Sequence, residues 1–170
     1  AHCLLFNARS LFHKMGELHA AIDQSSPDFI FVTETWFNNE ITNSMLFSGE
    51  KYRVIRTDRT DRRGGGVCAF IKKSFNVAEI VISSSLEIAA FDVIFPSTKF
   101  RFIICYRPPY YDNNAFSYLT SVMACLETLC AIEYSIFIGG DFNLPDISWL
   151  DLSHSGNHAS FSHSMLDFVC

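Results

Sequence analysis

One pattern, used twice, restricts this chain more than any other feature. HCLLFNA at 2–8 is a short apolar run that ends in a polar turn of Asn7, Ala8, Arg9 and Ser10. A helical stretch follows, and then a second apolar run, DFIFVTE at 28–34, that stops on Glu34. The same order returns later. RFIICY at 101–106 leads into Tyr106, Arg107, Pro108 and Pro109, then a helical stretch, then SIFIGG at 135–140, which runs into Asp141. Each half reads as a strand–helix–strand crossover whose polar residues sit where strands end. In α/β sheets, sites gather in the loops beyond strand ends. The expectation is an α/β two-sheet αββα sandwich, helices outside, with both sets of strand ends brought together and the second sheet incomplete.

The segments between the halves are strand-like. YRVIRTD (52–58), GGVCAFIKK (65–73), VAEIVIS (77–83) and AAFDVIF (89–95) are short, β-branched or aromatic runs, and PSTK (96–99) reads as a hairpin connection. Ser10 is placed to cap a helix with Leu11, Met15, Leu18 and Ile22 on one face, ended by Ser25, Ser26 and Pro27. A second helix is expected over 114–132, with Phe116, Leu119, Val122, Met123, Leu126 and Leu129 turned inward. FSHSMLDFVC opens a third. No linker, low-complexity tract or short-period repeat interrupts residues 1–170, which read as one partial domain.

With 49% hydrophobic residues and 17 Phe, the composition is that of a globular chain and excludes disorder. No apolar run approaches the roughly 18–20 residues that span a bilayer, and the first ten residues lack the features of a signal peptide. The missing Met at the start and the ending in LDFVC read as a fragment of something longer. The six cysteines form no CxxC pair; Cys3, Cys68, Cys105, Cys125 and Cys130 lie in apolar runs and are expected as buried free thiols of a reducing compartment. The net charge is −5, but it is unevenly spread. Residues 51–73 hold eight of the 13 basic side chains against only Asp58 and Asp61, a local +6, and leave −11 elsewhere. That patch fits a polyanion approaching one face, or else a solvated arginine-rich hairpin.

Asn7, Glu34, Asp141 and Asn143 carry oxygen donors at or just past strand ends. Hard Mg²⁺ prefers such ligands and keeps waters for a substrate to displace. Singly, each has an ordinary explanation as a turn or capping residue. Four of them in two matched units point to a site. His154, His158 and His163 lie in a polar stretch without cysteine spacing to match, and are not read as a zinc cluster. RRGGG lacks a following GK[ST] and reads as a tight turn, not a phosphate loop. Phe12, Trp36, Trp149 and the tyrosines at 110, 111 and 118 could stack on bases, with packing as their default and Trp36 as a wall beside a metal.

NARS (7–10), ETW (34–36), RTDRTDRRGGGV (56–67), YRPP (106–109) and GGDFN (139–143) occur in that order. The ordered set closely resembles the endonuclease domain of non-LTR (LINE-type) retrotransposons, within the endonuclease/exonuclease/phosphatase superfamily. The resemblance implies a DNase I-like fold and a Mg²⁺-dependent nick in DNA, with Mn²⁺ able to substitute, that leaves a 3′-hydroxyl for a reverse transcriptase. It implies Glu34 and Asn7 as metal residues, and Tyr106 on the scissile phosphate. Asp141 would direct the attacking water, and Asn143 would hold the phosphate. Arg59, Arg62 and Arg63, with Trp36, are the candidate DNA contacts. The implied partners are DNA and a reverse transcriptase domain of the same polyprotein, with no membrane, and the implied location is intracellular, in the nucleus when genomic DNA is cut.

The family places a further Asp and then a Ser-Asp-His element well downstream of GGDFN. Only 27 residues follow Asn143 and no Ser-Asp-His appears among them, so the expectation is a poor or inactive nuclease as it stands. The alternatives are an AP-site repair nuclease or an inositol- or lipid-phosphate esterase of the same superfamily, and, from another class, a non-catalytic nucleic-acid-binding remnant.

Overall fold

A computed structural model describes residues 1–47, 51–82, 85–109, 115–155 and 160–170. The chain divides into two compact units. The first comprises residues 1–107 and 134–141, and the second 108–133 and 142–170.

The first unit holds both large sheets. One contains β1 (Cys3–Asn7), β2 (Phe29–Thr33), β3 (Tyr52–Thr57) and β4 (Val67–Lys72), in the order β1-β2-β4-β3. The other contains β5 (Val77–Ile80), β6 (Ile88–Ile94), β7 (Lys99–Tyr106) and β8 (Ser135–Asp141), in sequence order. β1 and β2 pair in parallel, as do β7 and β8, and every other neighbour in these sheets is antiparallel. The two parallel pairs are the crossovers expected from the sequence.

Phenylalanine fills the space between the sheets. Phe29, Phe31, Phe91 and Phe102 are buried together with Val67, Ile71, Val93 and Ile104. The Phe102 ring lies 4.8 Å from that of Phe29 and 5.2 Å from that of Phe91. Such rings bury large areas and add directional contacts of about 0.5–1.5 kcal/mol per pair. On the opposite face of the first sheet, Ile30, Val32, Cys68 and Phe70 pack against Leu11, Leu18 and Ile22 of the helical segment. β2 and β4 are therefore apolar on both faces, which is why they read as unbroken hydrophobic runs.

That helix starts later than expected. A 3₁₀ turn spans Phe12–Lys14, and α1 runs Met15–Ser25. Ser10 caps neither, because it is left-handed (φ 78°) and its N–H, with that of Leu11, bonds the carbonyls of Glu34 and Thr35. A short α2 spans Asn43–Leu46.

The second unit contains α3 (Ala115–Cys130), a small hairpin of β9 (Ile147–Ser148) and β10 (Ser153–His154), and α4 (Phe161–Val169), capped by Ser160. Leu119, Val122, Leu126 and Leu129 are buried, but Phe116, expected inward, is 77% exposed. The expected helix start at 114 and the tyrosines at 110 and 111 lie outside the described residues, as do the end of the 77–83 run and His158. None of the six cysteines is in a disulfide. Cys68 and Cys105 are buried, whereas Cys3 and Cys170 are exposed and Cys125 and Cys130 are half-buried, a correction for three of the five expected inside. Among the described residues no helix is long and apolar enough to cross a membrane.

Candidate active site

Register brings the site together. Asn7 is opposite Thr33, the last residue of β2, and Glu34 follows it; Tyr106 is opposite Asp141 at the ends of β7 and β8. Four polar side chains thus stand at the carboxyl ends of two parallel strand pairs, where α/β sheets place their ligands.

Their side chains meet. The Asn7 Nδ2 donates to Glu34 Oε1 and to Asp141 Oδ2, each at 2.9 Å, joining carboxylates from the two sheets. The Asn7 Oδ1 accepts the N–H of Arg9 at 3.1 Å. Turning the amide over would set oxygen against two carboxylates and an NH₂ against an N–H, so this orientation is the favourable one. Asn7, expected as an oxygen ligand, therefore meets the carboxylates as a donor that spaces them. Glu34 also accepts the Tyr106 hydroxyl at 3.2 Å and the Trp36 indole N–H at 3.2 Å. Burial, with the Glu34 carboxylate beside it, pushes the Tyr106 hydroxyl far above its ordinary range, so it remains a neutral donor.

The backbone that presents Glu34 is strained. Glu34 and Trp36 are both left-handed, at φ 54° and 57°. Such residues cost about 1–3 kcal/mol each and persist where the surroundings over-determine them. Here the carbonyls of Gly65 and Gly66 accept the N–H groups of Trp36 and Thr35, at 2.9 and 3.3 Å. The glycine turn is a clamp on the Glu34 segment.

The basic residues divide. Arg63 is exposed and lies over the Trp36 ring at 5.3 Å, and Arg62 is exposed beside it. Arg59, expected as a backbone-phosphate contact, is instead half-buried in an ion pair with Glu87 at 2.5 Å. Its guanidinium is 5.8 Å from the Tyr106 ring centre. Asn143 belongs to the second unit and is left-handed, at φ 48°. Glu87 was not singled out from the sequence; its signal was an acid placed directly before the strand-like run of β6.

Glu34 and Asp141 turn hard oxygens toward one point, now met by the Asn7 amide. Mg²⁺ sites are commonly one or two carboxylates with water completing the shell, and this donor set fits that description. Among the described residues no group of three or more His, Cys, Asp or Glu side chains could hold a metal.

Solved structures share this fold. An AP endonuclease from Leishmania major superposes with a TM-score of 0.69 at 14% identity, over 98% of this chain and 64% of that one. The endonuclease domain of TRAS1, a telomere-specific non-LTR retrotransposon, gives 0.62 at 14% identity, over 98% and 68%. TDP2 from Caenorhabditis elegans gives 0.61 at 17% identity, and there the chain covers about half of its counterpart (87% and 49%). No curated protein matches the chain in sequence. The fold and the converging carboxylates define a two-sheet α/β sandwich with an acidic site at its strand ends. The chain belongs to the endonuclease/exonuclease/phosphatase family, whose model matches residues 4–168.

Proposed function

We propose that this chain is a Mg²⁺-dependent, DNA-nicking endonuclease domain of a non-LTR retrotransposon, cutting a phosphodiester bond to leave a 3′-hydroxyl for a reverse transcriptase of the same polyprotein. The observation that carries this reading is the meeting of Glu34 and Asp141, from separate sheets, on the Asn7 amide. The ordered motifs favour the retrotransposon branch over repair nucleases and phosphatases, and the family membership supports phosphoester chemistry.

Glu34 is the residue that would hold Mg²⁺, with Asn7 setting its distance from Asp141. Bound there, the ion supplies charge neutralisation for the phosphoryl oxygens and the leaving 3′ oxygen. Asp141 accepts a proton from the attacking water and fixes its direction. Tyr106, held neutral, donates a hydrogen bond from its hydroxyl to a phosphate oxygen. Arg62 and Arg63 contact the flanking DNA backbone, and Trp36 forms a wall beside Glu34.

The test is a melting titration with Mg²⁺ or Mn²⁺ beside a plasmid-nicking assay. The chain should gain about 2.7 kcal/mol at 100 times the dissociation constant, and Glu34→Gln should lose that gain. An equal gain in both proteins would rule out Glu34 as the ligand.

A further inference from the structure

Glu87 belongs to none of the sequence motifs, yet its bonds to Arg59, Gly66 and Tyr106 lead toward the site. It precedes β6 and is 5% exposed. Burial pushes its carboxyl up, against the pull of the Gly66 N–H and Arg59. Its Oε1 accepts Arg59 Nε at 2.9 Å and Nη2 at 2.5 Å, and its Oε2 accepts the Gly66 N–H. Its backbone carbonyl accepts the Tyr106 N–H at 2.9 Å.

Each connection continues to Glu34. Gly65 and Gly66 hold the N–H groups of Trp36 and Thr35, the residues that follow Glu34. Arg59 lies against the ring of Tyr106, whose hydroxyl bonds Glu34. The approach is too close for side chains. A Cβ at Gly65 would strike the Glu87 carboxylate and the Arg59 guanidinium, and one at Gly66 would come within 2.6 Å of the Thr35 hydroxyl. Glu87 thus reaches Glu34 from two directions without touching it.

We infer that Glu87 and Arg59 form a positioning pair that fixes the left-handed Glu34–Trp36 segment and the Tyr106 hydroxyl in metal-binding geometry. The metal part of this inference rests on the proposed role of Glu34; the positioning part does not.

The test separates the two. In a Trp149→Phe background Trp36 is the sole indole, so its emission reports the segment directly. Glu87→Gln keeps the side-chain volume and an acceptor for Gly66 but loses the charge that gathers both Arg59 donors. We expect a native circular-dichroism spectrum, altered Trp36 emission with increased acrylamide quenching, and Mn²⁺ affinity weakened about 10- to 100-fold, as for residues that orient metal ligands. A lower melting temperature with unchanged Trp36 emission and unchanged Mn²⁺ affinity would reduce Glu87 to a structural role and overturn the inference. Should Glu87→Gln not fold, Arg59→Lys, which keeps the cation but cannot make both bonds, decides by the same readouts. If the parent shows no Mn²⁺ response, the metal reading fails, and the Trp36 signal still decides the positioning.

Discussion

At Gly140 a methyl group has nowhere to go. The residue has φ 146°, pairs with Cys105 between β7 and β8, and a Cβ there would collide with the Cys105 carbonyl. Asp141 comes next, so backbone displaced at Gly140 carries the site's carboxylate with it. Gly140→Ala should cost about 2–3 kcal/mol in urea denaturation, combining strain and overpacking. Gly16, in α1 with nothing within 4 Å of its would-be Cβ, is the internal contrast. Gly16→Ala should stabilise the chain by about 0.4–1 kcal/mol. Equal effects at the two positions would show that the close approach at Cys105 is not what Gly140 serves.

Between strands and helices the controlling contacts are long-range, which decides how much can be read ahead of a structure. The strands were legible because β2, β4, β6 and β7 are buried apolar runs, and two of their ends carry Glu34 and Tyr106. The place of β4 between β2 and β3 was not, since sheet order depends on pairings that no local pattern encodes. Ser10 reads as a cap, but its N–H is taken by Glu34, an interaction invisible from residues 7–15. Phe116 fits a helical stripe, and periodicity alone does not say which side of a stripe is covered. Asp28 shows such a long-range interaction in energetic form. It bonds Lys72 Nζ at 2.8 Å and the His2 N–H at 2.9 Å, tying the start of β2 to the end of β4 and the residue before β1. The Lys72 bond, then that of His2, holds its carboxyl below the ordinary range. A lowered native pKa means stability that is whole above the ordinary carboxylate pKa and is lost as pH falls through the native one. Asp28→Asn should therefore cost about 1 kcal/mol at neutral pH. The gap between the two melting curves should close as the solution is taken below about pH 4. A gap independent of pH would assign the loss to packing instead.

Across the whole molecule, charge and fold pull in different directions, and the structure shows how the conflict is divided. A chain of net charge −5 repels DNA on average, so attraction of the proposed DNA substrate must come from the surplus in residues 51–73. Much of that surplus has structural work. Arg56 pairs with Asp58, Arg59 with Glu87 and Lys72 with Asp28, while Arg53 bonds the Val77 carbonyl. Sequence could count these charges but not tell covered from exposed, because the partners of the covered ones lie up to 44 residues away. Arg62 and Arg63 are exposed, and Arg63 lies over Trp36, whose indole bonds Glu34. Duplex binding should then weaken steeply with salt. The double variant Arg62→Ala/Arg63→Ala should flatten the log–log slope by about two, since each phosphate left without its cation removes about 0.9 from it. Fluorescence anisotropy of a labelled duplex at several salt concentrations measures that slope. Arg59→Ala should instead lower the melting temperature, since it leaves the Glu87 carboxylate buried without its cation. If Arg59→Ala flattened the slope and the Arg62/Arg63 pair did not, the DNA-facing charge would lie on the ion-paired side of this division, and the proposed contact of Arg62 and Arg63 with the DNA backbone would have to be abandoned.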